Sequence, residues 1–209
     1  MGDDMNSNSL TIKINDLLKE FNSKVLNSIR NIVDETSRFL LLMAWLNTRI
    51  ENWSFGRIII VGGFAVEFYT GSTYRTLDVD LIVEGKDAMK IVQGFFSKIS
   101  EKPCRAYLPV FDAISSKGID IVGFIYDKTK SPVKVNIDNY YAYLEAPEEL
   151  IVKYLYAWKY WMSEIDRDKV LALIAVLWDK VDKNYVLIRV EEEKVKDKLE
   201  EALNLLKMG

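Results

Sequence analysis

Residues 57–84 read RIIIVGGFAVEFYTGSTYRTLDVDLIVE, and the order of residue types in this stretch decides the fold. Arg57 to Val61 is an apolar run that ends in glycines, which predicts a strand covered on both faces. Gly62 and Gly63 lack a Cβ, so the chain can turn sharply there and a ligand can come close to the backbone. Residues 64–69 then predict a short helix whose free N–H groups point at an anion. Asp78 and Asp80 stand at i and i+2 of a second strand, so both carboxylates leave one face while Val79, Leu81 and Val83 enter the core. Two converging carboxylates beside an anion cradle suit a divalent metal and a polyphosphate. The bland alternative is a tight turn followed by two solvated aspartates.

Composition narrows the chemistry. At 209 residues the chain has room for one core domain with a helical appendage, and 49% apolar with 28% charged residues is ordinary for a globular protein. A net charge of −3 argues against a strongly basic nucleic-acid binder. Histidine is absent, which removes Ser-His-Asp, Cys-His and zinc-His chemistry and leaves carboxylates, lysines and tyrosines as proton carriers. The one cysteine, Cys104, cannot form an internal disulfide and has no partners for a metal site. The apolar stretch 39–46 is too short to span a bilayer, so no membrane association and a cytoplasmic location are expected.

Outward from the central stretch, residues 1–10 are polar and expected to fray. Apolar residues at helical spacing predict helices over 12–33 and 35–50. A crossover helix is expected over 85–100, with Gly94 as an awkward interior glycine. Strands are expected over 105–111, with Pro109 at an edge or bend, over 118–126 and over 133–138. A helix opens at EAPEEL (145–150) and runs to Met162. The next, 166–178, is apolar almost all round and is expected to be buried. Residues 184–190 predict a short strand or connection, and 191–207 an exposed helix with Val195, Leu199, Leu203 and Leu206 as its stripe. The division expected is an N-terminal helical segment (1–56), a core (57–145) and a C-terminal helical region (146–209).

An apolar residue, Gly62-Gly63, a spacer over 64–77 and then Asp78-Val79-Asp80-Leu81 resemble the signature of the DNA polymerase β-type nucleotidyltransferase superfamily. Tyr74-Arg75-Thr76 ahead of the aspartates is similar to the AbiEii/AbiGii-like branch, which includes toxins of toxin–antitoxin pairs. Pro147, Glu148, Leu150, Ile151, Lys153 and Ala157, followed by Asp166, Arg167 and Asp168, extend the resemblance over about 58–178. The arginine-rich surroundings of the family are thin here.

The resemblance implies an α/β (α+β) fold with a nucleotidyltransferase-type mixed sheet flanked by helices. It also implies Mg²⁺-dependent transfer of an NMP from an NTP to an acceptor hydroxyl. The metal set implied is Asp78, Asp80 and a third carboxylate, with two Mg²⁺ ions, or Mn²⁺ in their place. Asp120 is favoured as the third because its strand is otherwise apolar, so an ionised group there needs a metal, a partner or solvent. Asp138, on a face with Lys134 and Asn136, is the competitor. Gly62 and Gly63 would admit the phosphates, Lys153 would reach them as a point charge, and Asp168 would orient Lys153 or a substrate group. Arg75 and Thr76 either position phosphates or hold the loop. An RNA end, a protein hydroxyl or a small molecule could accept the nucleotide, with RNA first, and a cognate antitoxin is an implied partner. The alternative function is a catalytically inactive, antitoxin-like binding protein of the same fold.

Overall fold

The computed structural model describes residues 2–101 and 106–207. Cys104 and Arg105 lie outside the described residues. The chain groups into two compact units: a sheet unit of residues 1–61, 77–127 and 134–144, and a helical unit of residues 62–76, 128–133 and 145–209.

In the sheet unit, α1 (Gly2–Glu20) passes through a π turn (Phe21–Val25) into α2 (Leu26–Arg30). The chain is thus helical from residue 2, where fraying was expected. Leu17, Phe21, Val25 and Ile29 recur every fourth residue and are all buried. A regular α-helix turns slightly more than once in four residues, so such a stripe drifts around the rod; the wider π turn brings it back into line. Gly94 also has its reason. A Cβ there would lie 2.5 Å from Ile14 Cδ1, so the glycine lets α1 seat on α5 (Lys86–Ile99).

A helix α3 (Glu35–Asn52) is capped by Asp34, which accepts the Ser37 N–H at 2.7 Å. The sheet is mixed, in the order β5-β2-β1-β7-β6. Its strands are β1 (Arg57–Val61), β2 (Asp78–Glu84), β5 (Gly118–Gly123), β6 (Val133–Ile137) and β7 (Tyr140–Leu144). β1 runs antiparallel to β2 and parallel to β7, and β2 runs parallel to β5. The strand expected over 105–111 reduces, among the described residues, to β4 (Leu108–Pro109), paired with β3 (Ser100–Glu101), and a 3₁₀ turn at Asp112–Ile114. β7 was not foreseen. Its YYAYL sequence alternates between half-buried tyrosines and the buried Ala142 and Leu144.

Two buried side chains of α3 fix where β1 and β7 begin. Asn47 has no exposed surface; its Oδ1 accepts the Ile58 N–H at 2.8 Å and its Nδ2 donates to the Tyr141 carbonyl at 3.1 Å. Next to it, Thr48 Oγ1 accepts the Tyr141 N–H at 3.0 Å.

The helical unit holds α4 (Gly62–Tyr69), α6 (Pro147–Trp161), α7 (Glu164–Leu177), α8 (Lys183–Glu192) and α9 (Lys196–Lys207). α7 is buried on one side only, through Val170, Leu173, Ile174 and Leu177; Ile165 and Val176 face solvent. Residues 183–192 are helical, because Asp182 caps them and Val186 and Val190, four apart, enter the core. The helix expected over 191–207 begins only at Lys196, its first two residues ending α8 before a break at Lys194 with φ 57°. The loops are tied in by buried glutamates. Glu67 accepts the Thr76 N–H at 2.8 Å, Glu149 the Lys130 N–H at 3.0 Å and Glu148 the Asp182 N–H at 3.0 Å. Among the described residues no helix is long and apolar enough to cross a membrane.

Asn47→Ala should destabilise the protein by about 1–3 kcal/mol, the cost of leaving the buried Ile58 N–H without its acceptor while the Tyr141 carbonyl keeps only the 3.5 Å bond from Thr48 Oγ1; a urea midpoint within error of wild type would refute the clamp. A second test follows from Glu84. Burial alone would raise its carboxyl, but the Tyr126 N–H and the Arg57 guanidinium bring it below its ordinary value of 4.5. A carboxyl lowered on folding stabilises above its unfolded pKa, and that contribution fades as pH falls through the folded one. Glu84→Gln should therefore lower the melting temperature at pH 7, with the gap to wild type narrowing below pH 4.5.

Candidate active site

The acidic face is built by β2 and β5. Along β2, Val79, Leu81 and Val83 are buried, which turns Asp78 and Asp80 to the other face; Asp78 is exposed and Asp80 half-buried. Asp80 pairs with Asp120 across the parallel β2–β5 ladder, and Asp78 pairs with Gly118. Directly paired residues share a face and their strands run about 4.8 Å apart, so Asp78, Asp80 and Asp120 all rise from one side of the sheet. Gly118 makes room: a Cβ on it would lie 2.9 Å from Asp78 Oδ1. A glycine opening a strand was the sequence signal for that close approach, and it went unread.

The surroundings of Asp120 differ from the expected apolar wall. The β2–β5 register shifts between Leu81 and Ile82, which pair with Ile121 and Gly123, so Val122 is skipped and the alternation breaks there. Val122, Phe124 and Ile125 are exposed, and Asp120 itself is half-buried. Solvent, then, already lowers the cost of its charge. The strand ends at Gly123, short of the expected Tyr126. Asp138 is elsewhere, in the turn between β6 and β7 with φ 51°, at the opposite side of the sheet from β5.

All-oxygen donors on one face suit a hard divalent cation. Their side chains are not drawn together, however: among the described residues no group of three or more His, Cys, Asp or Glu stands close enough to hold a metal ion.

The helical unit carries the remaining predicted residues. Gly62 opens α4 directly, two residues earlier than expected, with φ +67°, a conformation that favours glycine. Gly63 is a matter of space, since a Cβ would meet Thr76 Oγ1 at 3.0 Å. The Gly62 N–H is already engaged. It donates at 3.0 Å to Glu145, whose side chain is buried, so an internal carboxylate sits where an anion was expected. Lys153, on α6, places its ammonium 3.6 Å from that same carboxylate and is 44% exposed. Thr76 is held to α4 through Glu67, and Arg75 is exposed. Asp168 does not orient Lys153: it is exposed on α7 with its carboxylate 3.2 Å from Arg167. On the same helix Asp166 and Lys169 pair at 2.8 Å, with the ammonium over the rings of Tyr154 and Tyr74.

Neither a family model nor a curated protein matches the sequence. The crystal structure of an antigenic nucleotidyltransferase-like protein from Paracoccidioides brasiliensis is similar over 82% of this chain and 93% of that one, with 17% identity and a TM-score of 0.51. The fold is nucleotidyltransferase-like. The solution structure of the antibiotic-resistance factor ANT(2'')-Ia matches over 79% of this chain and 95% of that one, with 12% identity and a TM-score of 0.45. At these identities the likeness concerns the fold alone.

Glu145, which touches both Gly62 and Lys153, is the residue of this candidate site that the sequence reading did not single out. Its signal was position: an acid between an aromatic strand and the Pro147 helix start, next to Ala146, which is buried. Glu145→Ala should cost about 1–3 kcal/mol, because the Gly62 N–H loses its acceptor in a buried place. Lys153→Met should cost under about 1 kcal/mol, since its ammonium is half exposed and screened. Chemical denaturation of the two variants checks the ranking, and equal losses would contradict it.

Proposed function

We propose that this protein transfers a nucleotidyl group from an NTP to an acceptor hydroxyl. The observation that carries the reading is the register of the acidic face, with Asp80 beside Asp120 and Asp78 on the same side, in a nucleotidyltransferase-like fold. Asp78, Asp80 and Asp120 would hold divalent Mg²⁺, with Mn²⁺ able to replace it. The ions, when bound, supply charge neutralisation at the transferring phosphorus and activation of the acceptor hydroxyl.

The chain's own residues bind and position. Lys153 gives a mobile positive charge for the triphosphate, and its exchange between Glu145 and a phosphate keeps the buried carboxylate matched when no nucleotide is present. Gly62 and Gly63 keep the start of α4 free of side chains, and a Cβ on Gly63 would crowd Thr76. Arg75 and Thr76 follow the glycines on the loop that α4 anchors, and Thr76 is fixed there by Glu67. RNA is the acceptor we favour; it, the AbiEii-like branch and an antitoxin partner rest on the sequence resemblance alone.

A second reading, a binding protein of this fold without turnover, is favoured by two observations. The acidic side chains do not converge, and Glu145 already takes the Gly62 N–H. Incubation with each α-labelled NTP and total RNA, with and without Mg²⁺, decides between them. Asp78→Asn and Asp80→Asn should each lower label transfer at least about a hundredfold, the scale of losing a group that stabilises charge in the transition state. Their melting temperatures should stay within a few degrees of wild type. No transfer by wild-type protein with any NTP would leave the second reading.

A further inference from the structure

The helical unit has a cleft of about 220 Å³ lined by Lys128, Val152, Lys153, Tyr156, Trp161 and Arg189, with Glu149 and Glu193 at its wall. We propose that this cleft binds one nucleotide unit, its base against Tyr156 and Trp161 and its phosphate at Lys153. The inference rests on the nucleotidyl-transfer reading in taking a nucleotide as the ligand class and Lys153 as its phosphate contact.

Aromatic surface is the first argument. Trp161 is 71% exposed and Tyr156 37%, and the ring of Tyr156 stands 6.2 Å from Trp161 at 84° and 4.5 Å from Tyr160. Rings left to water in one cluster form a platform on which any base can stack, because every base has a π face.

Charge is the second. The two acids of the cleft are satisfied within the protein: Glu149 accepts from the Lys130 N–H and the Tyr185 hydroxyl, and Glu193 accepts from Arg189 Nη2 at 3.0 Å. Of Lys153 and Arg189, Lys153 is the less committed cation. Lys153 is 44% exposed, with its carboxylate neighbour 3.6 Å away, beyond hydrogen-bond length. Arg189 is held through its two terminal nitrogens by Glu192 and Glu193, while its Nε is buried with no hydrogen-bond partner.

Size and spacing are the third. The volume suits one heterocycle, not a duplex or a folded peptide. Lys153 and Tyr156 are three residues apart on α6, about 4.5 Å along the axis, a gap that the sugar of a nucleotide bridges. The chain's net charge of −3 likewise favours a short stacked contact over tracking of a long polyanion.

The nucleotide can come from two sources, the donor NTP or the terminal nucleotide of an RNA acceptor. Equilibrium dialysis with Mg²⁺ present tests both, using α,β-methylene-ATP, which cannot transfer its nucleotide, a five-nucleotide single-stranded RNA, and inorganic triphosphate. The Tyr156→Ala/Trp161→Ala double variant should weaken one of the two nucleotide ligands at least about tenfold, the scale of losing base–aromatic stacking, and triphosphate less than twofold. Loss for the ATP analogue alone assigns the donor, and loss for RNA alone assigns the acceptor; either supports the proposal. Lys153→Met should weaken triphosphate as well as the affected nucleotide. Phe124→Ala, an exposed aromatic of the sheet unit, should change nothing. Wild-type affinities in the double variant would overturn the proposal, as would wild-type protein that binds neither nucleotide ligand. Because no turnover is read, binding that persists in Asp78→Asn while transfer is lost keeps this result separate from the one above.

Discussion

The carboxamide of Asn47 is the constraint on which the sheet unit depends. It lies on a helix, yet both its hydrogen bonds go to strand backbone, at Ile58 and at Tyr141. A buried amide with fixed partners tolerates no slip, because a one-residue shift would leave two polar groups unmatched. With β1 pinned, Ile60 pairs with Leu81 and Val61 with Asp80; with β2 so placed, Asp80 falls beside Asp120. The acidic face is thus a downstream result of a polar contact at the other end of β1.

The helical unit solves a different problem with the same chemistry. Four of its buried acids, Glu67, Glu145, Glu148 and Glu149, each accept a backbone N–H from a loop or helix start. Buried carboxylates are expensive unless they are hydrogen-bonded, and loops carry N–H groups with no ladder to join. Each pairing removes one cost with the other. Cation positions follow: Lys130 reaches Glu148 at 3.0 Å and Lys153 stands by Glu145.

What could be read from the sequence was what strong periodicity encodes. The apolar run of β1, the alternation of β2 and the inward face of α5 emerge as expected, because burial there depends on single residues at fixed spacing. β7 was hidden because tyrosines can be half-buried with polar tips outward, so YYAYL shows little alternation. Residues 184–190 suggested a short strand or a connection, but Leu187 and Ile188 face solvent and the cap at Asp182 decides for a helix. For the candidate site, the i, i+2 aspartates could be read directly. The neighbours could not: Gly118, Glu145 and the skipped Val122 act through contacts between segments distant in sequence.

The bond between Gly62 and Glu145 joins residues 83 positions apart. Glu148 and Asp182, 34 apart, add a second long closure within the helical unit. Closing such loops costs chain entropy before any contact repays it, so this unit belongs to the slow, high-contact-order part of folding. On a ribosome, residues 62–76 emerge well before the segment that will satisfy them. Until Glu145 is made, the N–H of Gly62 has only water, and α4 must wait for its own counter-charge to be synthesised.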